Sequence, residues 1–178
     1  MKQWFFRWIT LFFTGAVLLG GPGALRAEEK QATPQPAPPS MSQEELKAFL
    51  ARPIIARIAT VRANGSPQLA PMWFLYEDGV VYMSTRTYAA KVKHIEKNPR
   101  VAVVIDEMVA PLKNKVVTIE GTAEIVTTGV KETTTKIYHK YAGVEGSATP
   151  QAQRSINTPR VILKITPQKM ETIDTTGG

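Results

Sequence analysis

The chain has 178 residues, a formal net charge of +7, 43% hydrophobic and 21% charged residues, and no cysteine. That balance belongs to a globular protein, and the missing thiols exclude disulfides, thiolate metal sites and a cysteine nucleophile. No arginine-rich tract or interleaved row of aromatics points to nucleic acid, so a small anionic ligand matches the mild basicity better.

The N-terminus reads MKQWFFRWITLFFTGAVLLGGPGALRAEEK. Lys2 and Arg7 flank its start, an apolar stretch runs from Trp8 to Leu19, and Leu25-Arg26-Ala27 closes it with small residues. This is the layout of a secretory signal peptide over residues 1–27, cleaved after Ala27. The apolar part is short for a membrane span, which needs about 20 residues. The expectation is therefore an exported protein, periplasmic or secreted, without stable membrane insertion after cleavage; an uncleaved anchor is the alternative. Cleavage removes three basic residues (Lys2, Arg7, Arg26) and no acid, so +7 becomes +4. A chain without cysteine is indifferent to an oxidising compartment. Residues 28–41, EEKQATPQPAPPSM, are proline-rich and poor in hydrophobes, which predicts a flexible linker. The folded domain is expected over 42–178.

Ser42-Gln43-Glu44-Glu45 has the capping-box pattern, with Leu46, Phe49 and Leu50 following at helical spacing. That short helix ends before Pro53. Ile54 to Ala63 reads as a strand, and Asn64-Gly65 as a hairpin turn into a return strand over 67–76. Pro71 marks that strand as an edge or bulge. Glu77-Asp78-Gly79 turns into a third strand, and a helix over Ala89–Lys97 stops at Asn98-Pro99. Val101–Ile105 and Lys115–Val126 are β-branched strands. A helix over Val130–Tyr141 and two closing strands, Arg160–Ile165 and Lys169–Ile173, complete the order. Consecutive strands with hairpin connections predict a mainly β, antiparallel small barrel.

His94 and His139 read as surface residues of lysine-rich helices, and Asp106-Glu107 as an exposed turn. No G-x-S-x-G elbow, HExxH or paired acid cluster is present, so no catalytic residue and no metal site is assigned. Any chemistry would come from a cofactor. Ser84 and Thr85 at a strand end, followed by Lys91 near a helix start, suit a phosphate: hydroxyls, backbone N–H groups and a cation converge there. A solvated helix face explains the same lysines, and Lys97 fits that better because it complements the helix C-terminus. Pro71-Met72-Trp73-Phe74 breaks strict alternation, so one side chain faces a ligand or partner, or else both faces are buried.

Taken in order, Ile58-Ala59-Thr60-Val61, Asn64-Gly65-Ser66-Pro67, Pro71-Met72-Trp73-Phe74, Tyr82-Met83-Ser84-Thr85, Lys91 and Asn98-Pro99-Arg100-Val101 resemble the pyridoxamine 5'-phosphate oxidase-like FMN-binding split barrels. Glu120-Gly121-Thr122-Ala123 and Pro159-Arg160-Val161-Ile162 continue the resemblance over about residues 43–174. It implies a six-stranded antiparallel split β-barrel with flanking short helices, working as a homodimer with flavin at the interface. It also implies that Thr85 and Lys91 hold the flavin phosphate, that Ser84 lines the cofactor, and that Met72 and Trp73 pass beside the ring. The vitamin oxidases of the family carry an Arg and a Lys on the second strand, where this chain has Ala70 and Leu75, and an Arg where it has Ala90. Their C-terminal arginine-and-histidine segment has no counterpart in TPQKMETIDTTGG. Pyridoxamine phosphate oxidation is therefore not expected. The Pro-x-Trp-Phe segment is similar to the small flavin- or deazaflavin-dependent reductases. The resulting expectation is an FMN-binding oxidoreductase acting on a small acceptor. A 5-deazaflavin-dependent reductase and a non-catalytic flavin or haem carrier are the alternatives.

Overall fold

The computed structural model describes residues 40–176. The predicted signal peptide and most of the predicted linker lie outside the described residues. The last linker position does not: Met41 is buried, packs into the core and donates its N–H to Thr172 Oγ1 at 2.9 Å. Helix α1 (Gln43–Ala51) starts at the predicted capping box, with Ser42 Oγ accepting from the Glu45 N–H and Glu45 Oε2 accepting from the Ser42 N–H. Its buried face, Leu46, Phe49 and Leu50, follows the helical repeat.

Strand β1 (Ala56–Val61) and β2 (Pro67–Met72) form the predicted hairpin around Gly65, whose φ of 82° suits glycine. The single return strand expected over 67–76 is divided in the structure. After Met72 the chain turns at Trp73-Phe74, and β3 (Leu75–Glu77) pairs with β4 (Val80–Arg86) instead of β1. Asp78 and Gly79, both at positive φ, make the tight turn between them. Helix α2 (Ala90–Lys97), β5 (Arg100–Ala110), β6 (Lys113–Val126), α3 (Val130–Ser147), α4 (Pro150–Ile156) and β7 (Arg160–Asp174) follow. Seven strands therefore replace the expected six, in one antiparallel sheet of order β2-β1-β5-β6-β7-β4-β3. Its two edges, β2 and β3, are consecutive in the chain. Trp73-Phe74 carries the backbone from one edge to the other, which closes the sheet into a split barrel.

Two further departures have local causes. The two closing strands are one, because Pro167 and Gln168 are absorbed by a bulge opposite Glu120-Gly121. A Cβ on Gly121 would stand 2.3 Å from the Thr166 carbonyl oxygen, so only glycine permits that approach. Helix α3 runs beyond Tyr141 through a kink at Gly143, and α4 begins on Thr149 as N-cap with Pro150 in its first turn. The core is filled by alternate residues of β1, β4, β5, β6 and β7 with Phe74 among them; Ile58, Met83, Val103, Ile105, Ile119, Leu163 and Ile165 are fully buried. Each such side chain contributes about 1.5–3 kcal/mol.

Candidate functional site

Strand alternation sends Ser84 and Thr85, neighbours in sequence, to opposite faces of β4. Ser84 is buried toward α3. Its Oγ accepts from Arg160 Nε at 2.8 Å and shares a hydrogen bond with Thr134 Oγ1 at 2.7 Å. Arg160 also donates to Ser155 O at 3.1 Å and bonds Ser155 Oγ at 3.4 Å. Thr85 is buried on the other face, where Val81 and Met83 join the core. The sequence resemblance placed both residues at the cofactor; the structure commits the Ser84 hydroxyl to an internal network.

Beyond Thr85 the chain turns sharply, the Ala89 N–H donating to the Arg86 carbonyl at 3.0 Å, and α2 begins. Its N-cap, Ala89, supplies no side-chain cap, and no acid lies in the first turn. The free amide groups and the positive end of the helix dipole are thus left for an anion. Lys91 stands in that first turn, half-buried and without a carboxylate partner among the described residues. Burial pushes its ammonium pKa below the ordinary lysine range. An anion placed there would offset the cost of burying the charge, so these residues fit a phosphate. The inward side of α2 places Val92 and Ile95 in the core, and His94 Nδ1 lies 3.0 Å from the buried Thr60 Oγ1. His94 is therefore partly buried and bonded, whereas His139 is exposed, as expected. Asp106 and Glu107 do not form a turn; they lie within β5 and pair with Arg57 and Arg52.

Met72 ends β2 and packs partly against the core. Trp73 points elsewhere. Its ring stacks on Tyr141, centroids 4.7 Å apart and planes 5° from parallel, and meets the edge of Tyr138 at 5.1 Å. It is 37% exposed and walls a cleft of about 270 Å³ shared with Tyr138, Ala142, Thr149, Gln151 and Ser155. Tyr138 donates to Ser155 Oγ at 2.6 Å, so the cleft has an aromatic wall and a hydroxyl floor backed by Arg160. The expected site residues thus divide: Thr85 is buried near the end of β4, Lys91 stands in the first turn of α2 that follows, Trp73 belongs to the α3–α4 cleft, and Ser84 lies on the cleft's side of β4.

Sequence reasoning missed Tyr138, Tyr141, Lys140 and Arg160. Tyr141 Oη donates to the Ile54 carbonyl at 2.5 Å and accepts from the Phe74 N–H at 3.2 Å; burial raises its pKa to about 12. Lys140 Nζ sits 3.4 Å from the Phe74 ring centroid and donates to the Leu50 carbonyl at 2.8 Å in the last turn of α1. Burial lowers its pKa to about 8. The tyrosines recur at the i, i+3 spacing of one helix face, a signal present in the sequence.

The family model described as pyridoxamine 5'-phosphate oxidase matches residues 42–174. A conserved hypothetical protein from Mycobacterium tuberculosis superposes with a TM-score of 0.68 at 25% identity, covering 80% of this chain and 90% of that one. An F420 reductase gives 0.57 at 28% identity, covering 70% and 94%. An FAD-binding protein from Mesorhizobium loti gives 0.57 at 21%, covering 75% and 95%, a likeness of fold alone. Comparison with curated proteins returned no match.

Proposed function

The chain belongs to the pyridoxamine 5'-phosphate oxidase family, and from that premise we propose that it is an oxidoreductase holding a phosphate-bearing flavin, with FMN as the first reading. The observation that carries this is the half-buried Lys91 in the uncapped first turn of α2. Thr85 and the α2 amides complete the phosphate seat, and Lys91 supplies its charge. Ala70, Leu75 and Ala90 stand where the vitamin oxidases have cations, so the seat relies on fewer charges and vitamin oxidation is not part of the reading. When bound, the ring supplies the hydride or electron transfer. The chain's own residues bind and orient: Trp73 and Tyr138 offer a flat apolar wall for a small acceptor, and Ser155 a hydrogen bond at its edge. No side chain is assigned a proton-transfer role.

The 28% identity to the F420 reductase supports a second reading, in which the cofactor is the 5-deazaflavin coenzyme. The proposal also takes two copies of the chain to complete the site, and places the protein outside the cytoplasm after export. The test is to purify the protein, record its visible spectrum, identify released ligand by mass, and titrate FMN and deazaflavin. A flavin band or saturable binding of either supports the reading; binding of neither removes it.

A further inference from the structure

The β5–β6 hairpin is longer than the sheet around it. β1 pairs with β5 only as far as Ile105, and β7 pairs with β6 only as far as Lys115, so the tip at Met108–Lys113 projects beyond both neighbours. That tip is apolar and open to solvent: Met108 is 72% exposed, Val109 41% and Leu112 92%. The register shifts at Val109, and Leu112 follows Pro111 in the turn at a φ of 62°, where glycine or asparagine is usual. A leucine there costs backbone strain and buries nothing in the domain, so folding does not account for it.

Two observations indicate what covers the tip. The first is charge. No acid occurs from Met108 through Ile119, and the acids below the tip, Asp106 and Glu107, are paired with Arg57 and Arg52. Lys115 is matched by Asp174 at 2.6 Å, whereas Lys113 has no carboxylate partner among the described residues; its Nζ donates to Thr176 O at 3.3 Å. An apolar tip with a cation at its base suits a lipid headgroup layer. The second is where the upstream chain joins the domain. Met41 donates its N–H to Thr172 Oγ1, and Thr172 is the register partner of Val117, at the base of the same hairpin. Residues 1–39, with the apolar stretch Trp8–Leu19, therefore join the domain at the end that carries the tip. A bilayer that holds that stretch is within the tip's reach.

We propose that the β5–β6 tip docks shallowly on a lipid bilayer, with Met108, Val109 and Leu112 in the headgroup–acyl boundary and the Lys113 ammonium among the headgroups. The proposal does not depend on the cofactor reading.

The chain has no cysteine, so one introduced thiol reports one place. N114C lies beside the tip, and K131C is exposed at the start of α3, beyond the other end of β6. Each full chain, carrying an environment-sensitive dye on that thiol, is mixed with phosphatidylcholine–phosphatidylglycerol vesicles whose acyl chains are brominated. The dye at 114 should shift to the blue and be quenched, and the dye at 131 should do neither. Because the readout is local, insertion of the N-terminal stretch alone does not produce it. M108S/L112G should shift docking at position 114 toward water by roughly tenfold. The same variant should melt no lower than wild type, because both side chains are exposed and glycine accepts the turn. The proposal is overturned if the dye at 114 stays in water on the unaltered tip, if M108S/L112G leaves its quenching unchanged, or if both dyes are quenched alike. It is equally overturned if the dye at 114 shifts with protein concentration in the absence of lipid, which would put a second copy of the chain on the tip.

Discussion

Trp73 and Tyr141 lie face to face, 4.7 Å between ring centroids, at the corner where the chain passes from one edge of the sheet to the other. The stack joins the barrel closure to the cleft. One face of Trp73 is covered by Tyr141, whose hydroxyl ties the Phe74 N–H and the Ile54 carbonyl together. The same tryptophan walls the cleft of about 270 Å³. The barrel corner and the cleft therefore share one helix, α3.

Removing the Tyr141 hydroxyl leaves two backbone groups without their partner. Y141F is expected to lose about 1–3 kcal/mol in urea unfolding, the scale of a buried donor left unsatisfied. An unchanged midpoint would mean that water replaces the phenol and that the corner is held by stacking alone.

Lys140 and Tyr141 give the alkaline stability a particular shape. The folded Lys140 pKa, about 8, lies below its usual 10.5, so between those values the unfolded chain binds more protons and stability rises with pH. Tyr141, raised from 10.0 to about 12, does the reverse: there the folded chain binds more protons, and stability falls. Their combined contribution should peak near pH 10, measured by chemical unfolding. K140M should lack the rising limb; a slope identical to wild type between pH 8 and 10 would contradict the assignment.

Gly121 faces the Thr166 carbonyl too closely for any side chain. G121A must push β7 away from β6 at the bulge, at a cost of about 1–3 kcal/mol or more. The check is a thermal midpoint, and a variant as stable as wild type would show that the bulge relaxes freely.

Ser84 and Thr85 should separate cleanly. S84A breaks the bonds to Thr134 and Arg160 and should lower stability by about 1–3 kcal/mol with little change in FMN affinity. T85A should do the opposite, weakening FMN with a smaller loss of stability. Equal effects of both on FMN would return Ser84 to the cofactor site.

Much of this architecture was legible because local chemistry agreed with the fold. The Ser42 capping box, the glycine turns at Gly65 and Gly79, and the Asn98-Pro99 stop fix their elements within a few residues. The failures arise where tertiary pairing overrides local signals. Pro167 reads as a break, yet it enters a bulge that exists only because Gly121 lies across from it. The segment 67–76 reads as one strand, and only its change of partner at Trp73 divides it. Helix α4 carries a local signal, the Thr149 N-cap followed by Pro150, that is too short to stand out without the fold. Thr85 and Lys91 are singled out by spacing and resemblance, and the structure sets Lys91 in the uncapped first turn of α2. Arg160 is not singled out, since its role depends on strands 76 residues apart in sequence meeting in register.

The most direct test of the phosphate seat is the affinity of FMN and riboflavin for wild type and K91A, followed by flavin fluorescence. Loss of the lysine should weaken FMN by roughly tenfold or more, about 1–3 kcal/mol, and leave riboflavin nearly unchanged, because only FMN carries the phosphate. An unchanged FMN affinity in K91A, or an equal loss for both flavins, would contradict the account.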